Sequence, residues 1–383
     1  MFFLEAGNVI LVCSILSATF CLAWCFQRPV VTLRTGSVVR RFSSSVVTPT
    51  PSISDSEDAT LQTPLGSKKF DWNKQWYPIA VSSLTDTGRP HKMELLGNDI
   101  VLWYDGSQWR VFEDSCPHRN VPLSEGRVEK NGELLCSYHA WKFDGTGQCT
   151  SIPQSRSKDK ESALMSSAKS CVQSYPTMVE QGLVWCWGEK GLPGSDVSLE
   201  AALKRPHLIE ELTDPAYTGR ILPMTYNFRD LPYGWDMFME NVLDPSHVPV
   251  SHHGIVGNRY KDAQFVDLTR WPSRTEISVA EGGSMDPAHT EDRGFNYRVD
   301  NKLLGDAGKA YNDFRPPSLT KIETVNKDGS KLILALYATP TKPGFCRHIG
   351  AQILIKSVDK KVQCSDVCFQ LSTLMALLHS VGA

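Results

Sequence analysis

The sequence predicts an α+β protein with two folded domains, an N-terminal all-β domain and a C-terminal α+β domain built on an antiparallel sheet. The chain has 383 residues, 41% of them hydrophobic and 21% charged, which is enough for more than one hydrophobic core. Short apolar or alternating runs predict strands in the first domain at residues 93–96, 99–104 and 109–113. Longer runs at 331–339 and 345–356 predict two strands of the second sheet.

The first 69 residues are expected to be a targeting segment followed by a linker. Residues 9–26 form an apolar stretch that suits either a signal peptide or a membrane anchor. Residues 27–53 contain four Arg, three consecutive Ser and no acid, a composition typical of organellar transit peptides. The order of these two segments suits a two-part plastid address, and a simple transit peptide or a membrane anchor suits the composition equally well. Residues 48–64 have the composition of a linker.

The folded part is expected to divide into residues 70–188, a linker at 189–206 and a second domain at 207–383. Residues 182–187, Gly-Leu-Val-Trp-Cys-Trp, are typical of a buried strand that closes the first domain. A short helix-like run at 197–203 is followed by Lys204-Arg205-Pro206, where we place the boundary of the second domain.

Two short loops of the first domain carry four metal-binding side chains: Cys116, His118, Cys136 and His139. Each loop supplies one Cys and one His, which is the ligand set of a Rieske [2Fe-2S] cluster with both Cys on one iron and both His on the other. Neutral His ligands raise the reduction potential, so such a cluster is suited to relaying electrons. A closed structural zinc site is the alternative, although zinc fingers usually place the two Cys together and the two His together.

The second domain contains Asp244, His247 and His252, spaced as Asp-x-x-His-x4-His. Residues five apart on an uninterrupted helix lie about 140° apart around its axis. We therefore expect Pro249 to break the helix between His247 and His252 and to let the two imidazoles converge. Two His and a carboxylate form the facial triad that binds non-haem Fe(II) and leaves positions open for dioxygen. The spacing of His253 does not suit a ligand.

Charge and cysteine usage argue against a nucleic-acid-binding protein and against a secreted, disulfide-rich protein. A formal net charge of -2 gives no electrostatic argument for binding nucleic acid. The eleven Cys are dispersed, three of them within the first 25 residues, and show no spacing of a secreted disulfide framework. We expect a compartment in which thiols stay reduced.

Several further short motifs accompany the metal ligands. In chain order the whole set reads Phe70-Asp71-Trp72, Gln75-Trp76-Tyr77-Pro78, Cys116-Pro117-His118-Arg119, Pro122-Leu123-Ser124-Glu125-Gly126, Cys136-x-Tyr138-His139-x-Trp141, Ile152-Pro153-Gln154 and Glu240-Asn241-Val242-Leu243-Asp244-Pro245-Ser246-His247-Val248-Pro249. With these motifs the chain resembles the Rieske non-haem iron oxygenases over about residues 70 to 355. Within that family it is most similar to the plastid branch with pheophorbide a oxygenase, chlorophyllide a oxygenase and the Rieske protein of the inner-envelope import translocon.

The resemblance implies a helix-grip fold for the second domain, with His247 and His252 as ligands of a mononuclear Fe(II). It implies that Asp244 carries electrons to this iron from the Rieske His of a neighbouring subunit, and hence a homotrimer. The resemblance also implies that the protein takes electrons from a ferredoxin-type donor and uses dioxygen to oxygenate a chlorophyll-derived tetrapyrrole. It implies a plastid location at the envelope or thylakoid membrane. The alternative is a Rieske redox or regulatory component of a plastid membrane complex without oxygenase activity.

The third ligand of the mononuclear iron is the unassigned part of this site. The family requires an Asp or Glu far downstream, and Asp359 and Asp366 are the only acids among the last 25 residues. Neither lies in a recognisable motif, and residues 371–378 are too short to span a bilayer. We therefore expect a truncated product, an alternatively processed product or an error in the gene model. In each case we expect the mononuclear site to be incomplete, with its third carboxylate ligand unknown.

Overall fold

The computed structural model describes residues 70–222, 224–255, 257–271, 294–300 and 309–357. The expected targeting segment and both C-terminal acids, Asp359 and Asp366, lie outside these residues. The described residues all belong to one compact unit, Pro64–Ala383.

The first half of the described chain forms three small antiparallel sheets, with strand orders β1-β11-β10, β2-β3-β4-β9 and β5-β6-β7-β8. Their strands are β1 Trp76–Val81, β2 His91–Leu95, β3 Asn98–Tyr104, β4 Trp109–Glu113, β5 Arg127–Val128, β6 Leu134–Leu135, β7 Lys142–Phe143, β8 Cys149–Ser151, β9 Ser174–Tyr175, β10 Thr177–Glu180 and β11 Leu183–Trp187. The strands predicted at 93–96, 99–104 and 109–113 are confirmed to within two residues as β2, β3 and β4.

Strand β11 lies between two hydrophobic cores, which explains why its sequence is apolar without alternation. All five of its residues are buried. Leu183, Trp185 and Trp187 pack into a core shared with the large C-terminal sheet. Val184 and Cys186 point the other way, into the core between β1, β2, β3 and β4. A strand covered on both faces has no solvent side, so every position favours an apolar residue.

The second half forms one seven-stranded antiparallel sheet with the order β12-β18-β17-β16-β15-β14-β13. The strands are β12 Tyr226–Leu231, β13 Asp267–Trp271, β14 Phe295–Asp300, β15 Lys309–Arg315, β16 Leu319–Val325, β17 Lys331–Pro340 and β18 Cys346–Ile355. The predictions at 331–339 and 345–356 are confirmed as β17 and β18, which pair along their full length from Lys331↔Ile355 to Pro340↔Cys346.

The α-helices of the described residues are short: α1 Lys158–Met165, α2 Asp196–Leu203, α3 Trp235–Leu243 and α4 Val248–Ser251. The helix expected at 197–203 is confirmed as α2, which Ser195 caps by accepting a hydrogen bond from the N–H of Ser198. In the part of the chain that the structure describes, no helix has the length and hydrophobicity needed to cross a bilayer.

The large sheet is covered on both faces. One face contributes Tyr337 and Ile349 to the core that also contains Trp76, Trp185 and Trp187 of the first half. The opposite face packs Ala338 and Cys346 against Phe238 and Met239 of α3. Hydrogen bonds also join the two halves directly, among them Thr339 Oγ1 to the Pro78 carbonyl at 2.7 Å and Arg347 Nη1 to the Ile79 carbonyl at 2.9 Å.

Candidate metal centres

The two loops that carry the Cys and His residues have the same backbone geometry. In each loop the N–H of the Cys, Cys116 or Cys136, donates to the carbonyl five residues later at 2.9 Å. The carbonyl of each Cys accepts from the N–H four residues later, at 2.7 and 3.1 Å. That fourth residue is left-handed in both loops, Asn120 at φ 55° and Ala140 at φ 56°. The repeated turn holds both Cys residues rigidly and in equivalent positions.

Ligands of the same type lie next to each other at this site. Cys116 and Cys136 are 2% and 1% exposed and lie in the same core cluster, close enough for the Cys136 thiol to raise the pKa of Cys116. The rings of His118 and His139 lie with centroids 4.5 Å apart. A closed zinc site would place all four donors around one ion. Thiols beside thiols and imidazoles beside imidazoles instead suit two irons that each take one type of ligand.

Burial shifts the pKa of both kinds of ligand, and its effect on the imidazole favours metal binding. Burial raises the pKa of the Cys116 thiol to about 12, while the N–H groups of His118 and Arg119, which donate to its sulfur, act in the opposite direction. Burial lowers the pKa of His118, and the charges of His139 and Arg119 lower it further, which favours the neutral imidazole. The buried Nδ1 of His118 has no hydrogen-bond partner among the described residues. Such a group is costly unless it is bound, and coordination to iron would satisfy it.

The imidazoles lie on the outer side of the site, whereas the thiols lie in the core. Trp141 stacks in parallel on His118, with a centroid distance of 4.7 Å and an interplanar angle of 6°. Tyr138 is 62% exposed and leans over His139 at 4.0 Å. Gln154 Nε2 donates to the carbonyl of His139 at 2.7 Å. The His edge of the cluster site is therefore the part nearest to solvent.

The second group of sequence-predicted residues follows α3. This helix ends because Asp244 adopts an extended backbone, φ -96° and ψ 103°, ahead of Pro245. His247 and His252 then flank the single turn of α4 at its two ends. The prediction that Pro249 breaks the helix between the two His was wrong. Pro249 lies in the first turn of α4, where the missing N–H would have had no partner within the helix.

The two imidazoles converge as the sequence predicted, although by a different route. The ring centroids of His247 and His252 are 5.4 Å apart with an interplanar angle of 58°. Burial lowers the pKa of His252 and the neighbouring His247 lowers it further, which favours the neutral form that binds metals. Asp244 Oδ2 lies 3.7 Å from His247 Nδ1. This distance is too long for a hydrogen bond, and the buried Nδ1 has no such bond among the described residues.

Among the residues that the structure describes, no third His, Cys, Asp or Glu joins His247 and His252 in a group that could hold a metal ion. The third carboxylate stays unassigned. His253, which the spacing did not favour as a ligand, accepts a hydrogen bond at Nδ1 from the N–H of Arg259 at 3.2 Å. Its ring also meets the edge of Tyr260.

Sequence reasoning missed a pair of buried residues that contact the end of α3. Tyr297 on β14 donates its hydroxyl to the carbonyl of Leu243, 54 residues away in the chain. Asn312, its cross-strand partner on β15, donates from Nδ2 to the same hydroxyl at 2.6 Å. No local sequence pattern signals this contact, because it depends on where the sheet places β14 beneath the helix.

Comparison with known proteins finds a family match for the first half of the folded chain and several related proteins. Residues 75–176, which include all four Cys and His residues of the paired loops, match the Rieske [2Fe-2S] domain. Flavonoid 8-hydroxylase 2, chloroplastic, from Ocimum basilicum is 40% identical over 305 residues, 77% of this chain and 55% of the relative. Pheophorbide a oxygenase, chloroplastic, from Arabidopsis thaliana is 38% identical over 217 residues, 55% of this chain and 39% of the relative.

Protochlorophyllide-dependent translocon component 52, chloroplastic, from Arabidopsis thaliana is 39% identical over 195 residues, 50% of this chain and 33% of the relative. The chain thus spans about half the length, or less, of these relatives.

Two solved structures share the architecture at low sequence identity. Dicamba monooxygenase bound to 3,6-dichlorosalicylic acid has a TM-score of 0.59 at 17% identity, covering 79% of this chain and 83% of that one. NdmB of Pseudomonas putida CBB5 has a TM-score of 0.56 at 20% identity, covering 79% and 80%. At this level of identity the likeness concerns the fold alone, and it confirms the predicted α+β fold class.

Proposed function

Since the chain belongs to the Rieske non-haem iron oxygenases, in the branch that includes pheophorbide a oxygenase, we propose that it oxygenates a chlorophyll-derived tetrapyrrole such as pheophorbide a or chlorophyllide a. The observation that carries the proposal is the pairing of two sites in one chain. The Rieske loops at Cys116 and Cys136 occur together with His247 and His252, whose rings lie 5.4 Å apart beside Asp244.

Each set of residues has a defined part in this proposal. Cys116, Cys136, His118 and His139 hold the [2Fe-2S] cluster, and His247 and His252 hold the mononuclear iron. When bound, the cluster supplies one-electron transfer and the ferrous iron supplies dioxygen activation. The backbone N–H groups that donate to the Cys116 sulfur stabilise its thiolate form and help to set the potential of the site.

Asp244 is proposed to orient His247 and to receive electrons from a second subunit. Its carboxylate lies on the Nδ1 side of His247, which leaves Nε2 for the metal. The Asp244 side chain is 49% exposed, so its outer side is open to a neighbouring chain. The imidazole edge of the Rieske site also faces solvent and is likewise open to a neighbouring chain. A homotrimer in which His118 or His139 of one chain approaches Asp244 of the next agrees with both facts.

The substrate is proposed to bind near α3, where the sheet face is apolar. Leu231, Phe238 and Met239 form a closed core there, and the partly buried Trp235 and Phe314 packed against this core are the candidate lining. A flavonoid is a second candidate substrate, because the flavonoid hydroxylase matches the largest share of this chain among the three relatives above. Reduced, iron-loaded protein should incorporate label from isotopically labelled dioxygen into pheophorbide a in a single turnover. Label in a flavone, with none in pheophorbide a, would replace the tetrapyrrole proposal.

A redox or regulatory role without oxygenation is the second candidate function, and the likeness to a translocon component favours it. Counting iron and acid-labile sulfide in anaerobically reconstituted protein separates the two. An oxygenase should hold about three irons and two sulfides per chain, whereas a relay without the mononuclear site should hold about two of each. Zinc without sulfide would contradict both functions.

The cellular setting completes the proposal. The three relatives above all carry the word chloroplastic in their names, which supports a plastid location for this chain. A ferredoxin-type electron donor and attachment to the envelope or thylakoid membrane are proposed on the family resemblance. Fractionation of plastids followed by detection of the full-length chain would test the membrane part, and recovery in the stroma would contradict it.

A further inference from the structure

Helix α3, which leads into the second site, is fixed to the large sheet by polar contacts at its beginning, middle and end. The contacts are Trp235 Nε1 donating to the Pro317 carbonyl at 2.7 Å, Thr320 Oγ1 donating to Met239 Sδ at 3.5 Å, and the Tyr297 hydroxyl donating to the Leu243 carbonyl. The helix therefore crosses the sheet from β16 toward β14, and the last contact lies next to Asp244.

The last of these contacts has a fixed direction. Tyr297 and Asn312 are cross-strand partners, 8% and 4% exposed. Asn312 Nδ2 donates to the Tyr297 oxygen at 2.6 Å, so the phenol proton is left to point at the Leu243 carbonyl. Burial raises the pKa of Tyr297 to about 12. The hydrogen bond from Asn312 lowers this pKa, and the negative charge of Asp244 raises it further. The phenol therefore stays a hydrogen-bond donor at physiological pH.

The carbonyl that Tyr297 binds belongs to the last residue of α3, directly before Asp244. Leu243 is the last residue of α3, and the final carbonyls of a helix have no partner within it. A buried donor from the sheet satisfies this carbonyl and fixes where the chain leaves the helix. The next residue is Asp244, and His247 follows three residues later.

We propose that Tyr297, held by Asn312, is a positioning residue that sets where Asp244 lies relative to His247 and so controls electron delivery to the second site. This inference rests on the proposed oxygenase function. Tyr297 acts through the backbone of Leu243 and has no part in binding the metal or the substrate.

The test compares Tyr297→Phe with a matched variant on the other face of the same sheet. Tyr337 is fully buried and also donates its hydroxyl to a backbone carbonyl, that of His207, at 3.1 Å. Tyr337→Phe therefore removes the same kind of bond without touching α3. In iron-loaded full-length protein, Tyr297→Phe should slow single-turnover oxidation of the reduced cluster by about tenfold or more. Tyr337→Phe should leave this rate within about twofold of wild type.

A spectroscopic readout separates positioning from a general loss of stability. The electron paramagnetic resonance spectrum of the nitric oxide adduct of the ferrous site should change in Tyr297→Phe and stay as in wild type in Tyr337→Phe. In an Asp244→Asn background, Tyr297→Phe should slow cluster oxidation no further, because the route through Asp244 is already lost. If Tyr297→Phe does not fold, Asn312→Ala should give the same change in smaller measure.

Each outcome decides the matter. An unchanged rate and spectrum in Tyr297→Phe, or in Asn312→Ala where that variant replaces it, would overturn the positioning role while the oxygenase proposal stands. Equal changes in the Tyr297 and Tyr337 variants would also overturn it, by showing a general structural effect. Wild-type protein that takes up no mononuclear iron would overturn the proposed function together with this inference.

Discussion

Replacing Ala140 by Gly should stabilise the second Rieske loop. Ala140 is held at φ 56°, and a left-handed backbone costs an L-residue with a Cβ about 1–2 kcal/mol. Gly removes that cost but adds about 0.5–1 kcal/mol of backbone entropy to the unfolded chain. The difference leaves a net stabilisation of about 0.5–1 kcal/mol.

The matched control is Asn120, which occupies the same position of the first loop at φ 55°. Asn tolerates the left-handed region, so Asn120→Gly should change stability by less than about 0.5 kcal/mol. The assay is the urea concentration at which half of the visible cluster absorption is lost. Ala140→Gly should raise it by about 0.2–0.3 M for a urea dependence of about 3 kcal/mol/M. A midpoint that falls in Ala140→Gly, or rises equally in both variants, would refute the strain argument.

Three further predictions address the second site and the sheet. Asp244→Asn should keep both metal centres loaded but slow oxidation of the reduced cluster by about 100-fold, and a wild-type rate would refute the bridging role. His247→Ala should lose the mononuclear iron with the Rieske absorption intact, so iron retained at that centre would count against His247 as a ligand. Burial lowers the pKa of His348 to about 4 from 6.5. Because the unfolded chain binds this proton more readily, stability should fall by about 2–3 kcal/mol as pH drops from 6.5 to 4, and His348→Gln should lose this share of the pH dependence.

Local patterns were sufficient for much of the fold and for the Rieske ligands. Strands β2, β3 and β4 alternate or end at turn residues, and β11 is apolar throughout, so each has a signal within its own sequence. The spacing of the Cys and His residues was equally local, and the paired loops at Cys116 and Cys136 lie where that spacing predicted a site. The match of residues 75–176 to the Rieske domain supports the same interpretation.

The features that sequence reasoning missed depend on competing or distant interactions. Pro249 was expected to end a helix, but its ring is tolerated in a first turn, and the extended backbone of Asp244 ahead of Pro245 ended α3 earlier. The contact between Tyr297 and Leu243 depends on the strand order of the large sheet, which no short pattern specifies. Neither a sequence motif nor the contacts of the described residues identify the third carboxylate ligand.

The position of β11 has a consequence for how the molecule can be divided. Alternate residues of this strand belong to two different cores: Leu183, Trp185 and Trp187 to one, and Val184 and Cys186 to the other. Neither core is complete without the strand. A fragment ending at residue 188 would present three tryptophans, Trp76, Trp185 and Trp187, to water on an open face, a surface prone to self-association. The cluster-bearing half is therefore not an exchangeable module, and heating the intact chain should release both metal centres in a single cooperative transition.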